Sequence, residues 1–391
     1  MWRLAWRYLQ FHRFSTTVLV AAITVAAFLP LATQLLWWEL QRGLRSRADQ
    51  TPLLLGARGS RFDLTLHALY FEASPPGTIT MGDLERVEST GWGVAIPLDA
   101  RFRAADTPLV GTSLDYFNHR KLRLARGNDM ARLGDCVIGS QVARTLGIGP
   151  GDHLLTDTES FVDIMQYPVR LRVTGVLAPA GTVDDAAIFC DIKTIWVIEG
   201  IGHGHEDLAR SKQPEGVVLQ RNDREIVAGA ALKRYYEITD ENIGSFHFHG
   251  DPQTFPLAAS IIVPRDRRAA TLLLARFQQP DNALQLVEPP VVIEQLLQTV
   301  VRIKRWLDLA ALLVACSTAL LIGLVVLLSL RLRRQEFVTL HKLGCRRRTT
   351  VWLVTTQLLL VGAACAALLM PFGLFAWAYG PDLLRQWVTR G

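Results

Sequence analysis

Three stretches of the chain are almost wholly apolar, and they divide it. They run from Ser15 to Trp38, from Trp306 to Leu330 and from Thr349 to Tyr379. The middle stretch, WLDLAALLVACSTALLIGLVVLLSL, has Asp308 as its one charge. At about 25 residues, each rising about 1.5 Å as a helix, it can cross a hydrocarbon core of roughly 30 Å. The last stretch is about 31 residues long, too short for two crossings of about 20 each. It reads as one span, tilted or kinked at Pro371. The first exceeds the apolar core of a cleaved signal peptide and continues as a helical pattern through Arg47.

Between Glu39 and Arg305 no apolar run is long enough to span a bilayer. Short apolar or alternating runs predict strands at Thr51–Gly56, Val94–Pro97, Cys136–Gly139, Val169–Leu177 and Ala186–Asp191. Helical patterns cover Phe62–Phe71, Gly82–Gly91 and Ser140–Leu146, the last closed by Gly147. Turn chemistry marks Gly56–Ser60, Pro75-Pro76-Gly77, Gly149-Pro150-Gly151-Asp152 and the loop Ala178–Asp185. At the far end Ile293, Leu296, Leu297, Val300 and Ile303 form a helical stripe that runs into the second span, as Glu39–Asp49 extends the first. Two stalk helices are therefore expected.

Charge orients this pattern. The net charge is +6, and much of the basic excess lies at Arg3, Arg7 and Arg13 and between Arg331 and Arg348, beside the spans. That placement reads as topology, not as a nucleic-acid footprint. By the positive-inside rule the N-terminus and residues 331–348 are cytoplasmic. Trp2, Trp6 and Leu9 share a helical face beside Arg3, Arg7 and Gln10, which suits a helix in the membrane interface. The expected architecture is α+β: a bundle of three spans carrying a large mixed extracytoplasmic domain on a helical stalk. The expected order is an interfacial helix (1–14), span 1 (15–38), the extracytoplasmic domain with its stalk helices (39–305), span 2 (306–330), a cytoplasmic loop (331–348), span 3 (349–379) and an outer tail (380–391). None of the five cysteines forms a CxxC pair. Cys136 and Cys190 share the large domain, where a disulfide and two buried thiols both remain open.

Candidate chemistry is sparse. There is no GxxxxGK[ST] phosphate loop, so ATP hydrolysis would need another subunit, and no Gly-x-Ser-x-Gly or His-Glu-x-x-His. No catalytic residue is assigned. Four of the nine histidines fall in two His-x-His stretches, His203/His205 and His247/His249. Zinc or copper prefers such ligands. A ligand set is complete only if the two stretches meet, so the expectation is loop histidines and no metal.

The segment Arg334-Gln335-Glu336-Phe337-Val338-Thr339-Leu340-His341-Lys342-Leu343-Gly344-Cys345-Arg346 resembles the intracellular loop of MacB/FtsX-type ABC transporter permeases. DCVIGSQVARTLGIGPGDHL and LRVTGVLAPAGTVDDAAIFCDI resemble that family's periplasmic core domain. The matching positions are Gly139, Val142, Ala143, Leu146, Gly147, Gly151, Asp152, Val173, Gly175, Val176, Gly181, Thr182 and Asp185. The family usually has four spans and a cytoplasmic C-terminus, so three spans mean either a three-span branch or a truncated chain.

The resemblance implies a non-catalytic permease subunit in a bacterial inner membrane, with ATP and magnesium held by a cytoplasmic ABC ATPase. Arg334, Glu336, Phe337, Leu340, His341, Leu343 and Gly344 would form the ATPase-coupling helix and its stop. It implies a homodimer or heterodimer of permeases, contact with membrane lipid, a periplasmic adaptor or binding protein as a further partner, and no nucleic acid. The work would be export or extraction of a substrate. The alternatives are a membrane-anchored metal-binding protein and a signalling subunit without transport.

Overall fold

The computed structural model describes residues 2–157, 168–204, 218–222, 225–228, 238–277, 279, 282–332, 334–342 and 347–388. It falls into two compact units, Leu44–Leu296, and Met1–Gly43 together with Leu297–Gly391. Its helices are α1 (Trp2–Phe11), α2 (Arg13–Asp49), α3 (Arg61–Tyr70), α4 (Met81–Glu88), α5 (Leu114–Arg120), α6 (Ser140–Leu146), α7 (Ile192–Ile198), α8 (Arg267–Phe277), α9 (Pro289–Leu332), α10 (Arg334–Lys342) and α11 (Arg347–Val388). Its strands are β1 (Leu53–Ala57), β2 (Ile79–Thr80), β3 (Gly93–Ala104), β4 (Thr107–Thr112), β5 (Leu124–Gly127), β6 (Asp135–Ile138), β7 (His153–Leu155), β8 (Arg170–Leu177), β9 (Ile188–Asp191), β10 (Gly202–Gly204), β11 (Val218–Asn222), β12 (Glu225–Ala228), β13 (Phe246–Phe248), β14 (Pro256–Leu257), β15 (Ala259–Pro264) and β16 (Leu284–Val287).

The unit Leu44–Leu296 is built on a ten-stranded sheet in the order β16-β1-β15-β3-β4-β9-β6-β8-β5, with β7 also on β8. The pairs β4–β9 and β6–β8 are parallel and the other neighbours antiparallel. The protein is thus of the α+β class. Strand β6 is buried at every position, and β9 at all but its last. This is why both read as short apolar runs without alternation. Cys136 and Cys190 are register partners across them, and both are buried free thiols. Burial pushes each thiol well above its ordinary pKa, which leaves them unreactive.

Strand β3 is the clearest departure from the sequence reading. It continues to Ala104 rather than stopping at Pro97. Proline and the charges after it, Asp99 and Arg101, argue against a strand. Here the Pro97 carbonyl accepts from Thr112 Oγ1 at 2.7 Å. Asp99 is buried against Arg101 at 2.7 Å, and Arg101 also pairs with Glu199 at 3.0 Å. Tertiary pairing therefore neutralises the residues that made the stretch look like a loop.

Helix α3 starts where Ser60 accepts from the Asp63 N–H at 3.2 Å. It stops at Phe71, a left-handed residue with φ 60°. The Phe71 N–H reaches the His67 carbonyl and the Glu72 N–H the Leu66 carbonyl. A non-glycine residue is strained there. Burial of the ring, which lies edge-on to Phe189 at 6.2 Å, offsets that strain.

The resemblance-bearing residues converge on one corner. Gly139 caps α6, and a Cβ on it would lie 2.3 Å from the Asp185 carbonyl oxygen and 2.4 Å from that of Asp184. Asp185 accepts from the Gly181 N–H at 2.7 Å, the Ala180 N–H at 2.9 Å and Ser140 Oγ at 3.1 Å. Glycine and aspartate here let the loop before β9 lie against the start of α6.

The second unit is helical. Three helices in the described residues are long and apolar enough to cross a membrane, with candidate spans Arg13–Asp49, Pro289–Leu328 and Val351–Pro371. Many of their large side chains are bare: Leu320 is 77% exposed and Val25 70%. Water would penalise such a surface and lipid would not, since a helix satisfies nearly all its backbone groups within itself. This is a membrane protein. The third helix runs through Pro371 and on to Val388 without a break. Cys365 Sγ, on that helix, lies 3.6 Å from the Val20 carbonyl of α2.

Gly139→Ala should lower the stability of the sheet unit by roughly 1–3 kcal/mol, the usual cost of forcing an atom into a packed site. Gly149→Ala, with nothing within 4 Å of its added Cβ, should change stability little. Thermal melts of the purified protein followed by tryptophan fluorescence compare the two. Equal melting temperatures would contradict the close approach at Gly139.

Candidate functional site

Among the described residues, functional groups gather at the last turn of α2 and on the ribbon β10–β13, and the segment after α9 carries the expected coupling residues. The first was not singled out from the sequence, because Arg47 reads there as one of several arginines on a stalk. In the structure Arg47 is buried. Its Nη1 donates to Asp184 Oδ2 at 2.6 Å and its Nη2 to Asp184 Oδ1 at 2.9 Å. Nη2 also reaches Tyr116 Oη at 2.8 Å, and Nε donates to the Leu69 carbonyl. The guanidinium lies 5.4 Å from the centroid of the Phe71 ring. Tyr116 Oη donates to Asp184 Oδ1 at 2.7 Å and Thr182 Oγ1 to Oδ2 at 2.8 Å.

This is a bidentate pair whose remaining lone pairs are satisfied, the condition under which a buried ion pair is tolerated. Burial alone would push the Asp184 carboxyl up. The Arg47 charge, with hydrogen bonds from Arg47, Tyr116 and Thr182, instead holds it at about 2. Burial pushes the Tyr116 hydroxyl up to about 12. Tyr116 therefore stays a neutral donor. In the loop Ala178–Asp185 the resemblance marked Asp185 and not Asp184. Asp185 holds the loop's own backbone, and its neighbour Asp184 holds Arg47. Sequence offers one cue to Asp184: an acid directly beside the motif aspartate, in a loop otherwise poor in charge.

The two His-x-His stretches do meet. In β10–β13, His203 is the register partner of His247. His249, two residues on, lies on the same side of the extended chain. Ring centroids are 5.0 Å apart for His203–His247, 4.8 Å for His203–His249 and 4.7 Å for His247–His249. One ligand atom from each lies within 4.8 Å of the others. The alternate positions explain the arrangement. Phe248 and Phe246 lie over Gly202 and Gly204, where a Cβ would come within 2.6 and 2.7 Å of the rings. Phe248 packs on to Trp196 at 6.1 Å and Phe255 at 6.0 Å. With the aromatic face turned to the core, the imidazoles occupy the other face. His205 lies outside the described residues.

The coupling segment follows α9 as α10, on which Arg334 and Lys342 are exposed. Glu336, Phe337, Leu340 and His341 are on this helix, with side chains outside what is described. Leu343 and Gly344 lie outside the described residues, before α11 resumes at Arg347.

Residues 309–387 match the model of the FtsX-like permease C-terminal family. Over these residues the chain is similar to FtsX-like permeases. The FtsX-like segment includes α10 and the whole loop that carried the resemblance. No curated protein matches the chain. Among solved structures it is similar to the extracellular domain of the noncanonical ABC-type transporter YknZ from Gram-positive bacteria, at 11% identity and TM-score 0.34, covering 60% of this chain and 98% of that one. It is also similar to the periplasmic region of MacB from Actinobacillus actinomycetemcomitans, at 9% identity and TM-score 0.35, covering 65% and 94%. A third likeness is a domain of a protein described as a permease from Porphyromonas gingivalis, at 11% identity and TM-score 0.29, covering 61% and 89%.

Asp184→Asn should cost about 3–5 kcal/mol, because it leaves the Arg47 charge buried without its partner. The acid side supplies a second readout. The folded carboxyl titrates below its unfolded value of about 3.9, so its contribution is complete above that pH. It is lost as pH falls through the folded value of about 2. The loss amounts to about 2 kcal/mol. Melting temperatures of parent and variant between pH 7 and pH 2 should therefore converge in acid. Parallel curves would contradict the pairing.

Proposed function

We propose that the chain is the permease subunit of an ABC system of the MacB/FtsX kind, driven by a separate cytoplasmic ATPase. The observation that carries this is the match over residues 309–387, which spans α10 between two apolar helices. A short helix on a loop is a suitable docking element for a partner's groove, because its apolar positions fall on one side. On this reading Phe337, Leu340 and His341 bind the ATPase, with Arg334 and Glu336 at the edge and Leu343–Gly344 closing the helix. The chain lacks a phosphate-binding loop of its own, which fits a division of labour with a partner that holds ATP and magnesium. Two such chains, identical or related, pair in the bacterial inner membrane with the sheet unit outside.

Motion imposed at α10 has two continuous helices to follow, α2 and α9, whose outer ends lie at Asp49 and Pro289. The last turn of α2 is held by the Arg47–Asp184 pair. A displacement of that turn must carry the loop Ala178–Asp185 with it or break a buried ion pair. The work delivered outside is export or extraction of a substrate.

Phe337→Ala and Leu340→Ala should each weaken capture of the partner ATPase roughly thirtyfold, the effect of losing about 2 kcal/mol at an interface anchor. Lys342→Ala should have a much smaller effect. Pull-down of the ATPase with each full-length variant measures this, with a thermal melt of each variant as the check on folding. If Phe337→Ala, Leu340→Ala and the parent bind alike, α10 is not the coupling helix. A lipid-anchoring role would reverse the order, with Lys342→Ala the more damaging.

A further inference from the structure

We propose that His203, His247 and His249 bind a zinc ion on the outward side of the β10–β13 ribbon. This inference stands apart from the permease reading and needs only the ribbon. Imidazole is a ligand for zinc and copper, whereas magnesium and calcium take oxygen. Three protein ligands with a fourth position left to water or an incoming group is an established zinc geometry. The ligand atoms here lie within 4.8 Å of one another. At a Zn–N length of about 2.0–2.1 Å, tetrahedral ligands sit about 3.3 Å apart, so the ligand atoms must close by up to roughly 1.5 Å. The rings stand on the outer face, His203 half-buried and His247 and His249 exposed, within reach of solvent and of an entering ion.

The backbone beneath them is fixed. Cross-strand register sets His203 opposite His247, and the His249 N–H donates to the Ile201 carbonyl at 3.1 Å. The aromatic side locks the register, because a slip of one residue would turn Phe246 and Phe248 out and the histidines in. One tautomer is set as well. His247 Nδ1 lies 3.1 Å from the Ser245 carbonyl, which can only accept, so the proton is on Nδ1 and the lone pair on Nε2. A backbone carbonyl holding the far nitrogen of a ligating histidine is a recurrent support of metal sites. The rings do not fill the core; Phe246 and Phe248 do that from the other side. A cluster of three imidazoles whose positions are dictated by the ribbon offers three ligand atoms to one ion.

The experiment uses the full chain in detergent, purified through a tag without histidines, stripped with EDTA and desalted. Zinc chloride is the probe. After incubation and a second desalting, elemental analysis should find about one zinc per chain in the parent, with magnesium unable to compete. His203→Ala with His249→Ala should abolish retention, while His153→Ala on β7 should retain it. Each single ligand variant should lose roughly tenfold to hundredfold in affinity, at least what outer-shell changes cost at such sites. Zinc should raise the melting temperature of the parent and not of the double variant, whose metal-free melt should equal that of the parent. The proposal is overturned if the folded parent shows no zinc binding tighter than about 10 μM in a chelator competition. It is equally overturned if the double variant retains as much zinc as the parent.

Discussion

A guanidinium taken out of water is costly unless acceptors meet it, and at the end of α2 the Asp184 carboxylate meets Arg47. The pair is bidentate and has almost no access to water. Its desolvation is costly, and its geometry leaves little unsatisfied, because Tyr116, Thr182 and the Leu69 carbonyl take up the remaining hydrogen bonds. Several otherwise unrelated features follow from it. The left-handed turn at Phe71 brings an aromatic ring beside the guanidinium. Thr51 Oγ1 donates to the Arg47 carbonyl and accepts from Arg120, closing the backbone of the turn. The loop before β9 is held from both sides, by Asp184 to Arg47 and by Asp185 to its own amides and Ser140.

The two adjacent aspartates show how neighbouring residues of one type take different tasks. Extended-to-turn backbone at Thr182–Ala186 sends successive side chains in different directions. Asp185 shapes the loop and sits against α6 only because Gly139 has no side chain. Asp184 points at the arginine. The motif positions are a packing solution, and the ion pair is what that solution is arranged around.

The ribbon β10–β13 applies the same economy with apolar groups. Glycines on one strand admit phenylalanines from the other, and the phenylalanines reach Trp196 and Phe255. Burial of those rings is worth far more than any contact the histidines make among themselves. The hydrophobic effect therefore fixes the register, and the imidazoles are gathered as a consequence. In the membrane unit the balance is inverted. Apolar side chains remain bare along α2, α9 and α11 because lipid, unlike water, does not penalise them.

What the sequence determined by itself was whatever is written as a local period or a local break. The three apolar stretches, the helix closed by Gly147, the turn at Gly149–Asp152 and the buried strands Asp135–Ile138 and Ile188–Asp191 all depend on residues close together in the chain. The FtsX-like character of the segment after Trp306 was legible for the same reason, since its apolar run, basic exit and short helix are contiguous. Tertiary structure alone decided the rest. Strand β3 passes Pro97 because Thr112, Arg101 and Glu199 arrive from elsewhere to meet its polar groups. Arg47 and Asp184 are 137 residues apart, and no spacing rule links them. His203 joins His247 and His249 only once β10 pairs with β13. In each case the deciding contact is between residues distant in sequence, and its free energy comes from burial that exists only after the chain has folded.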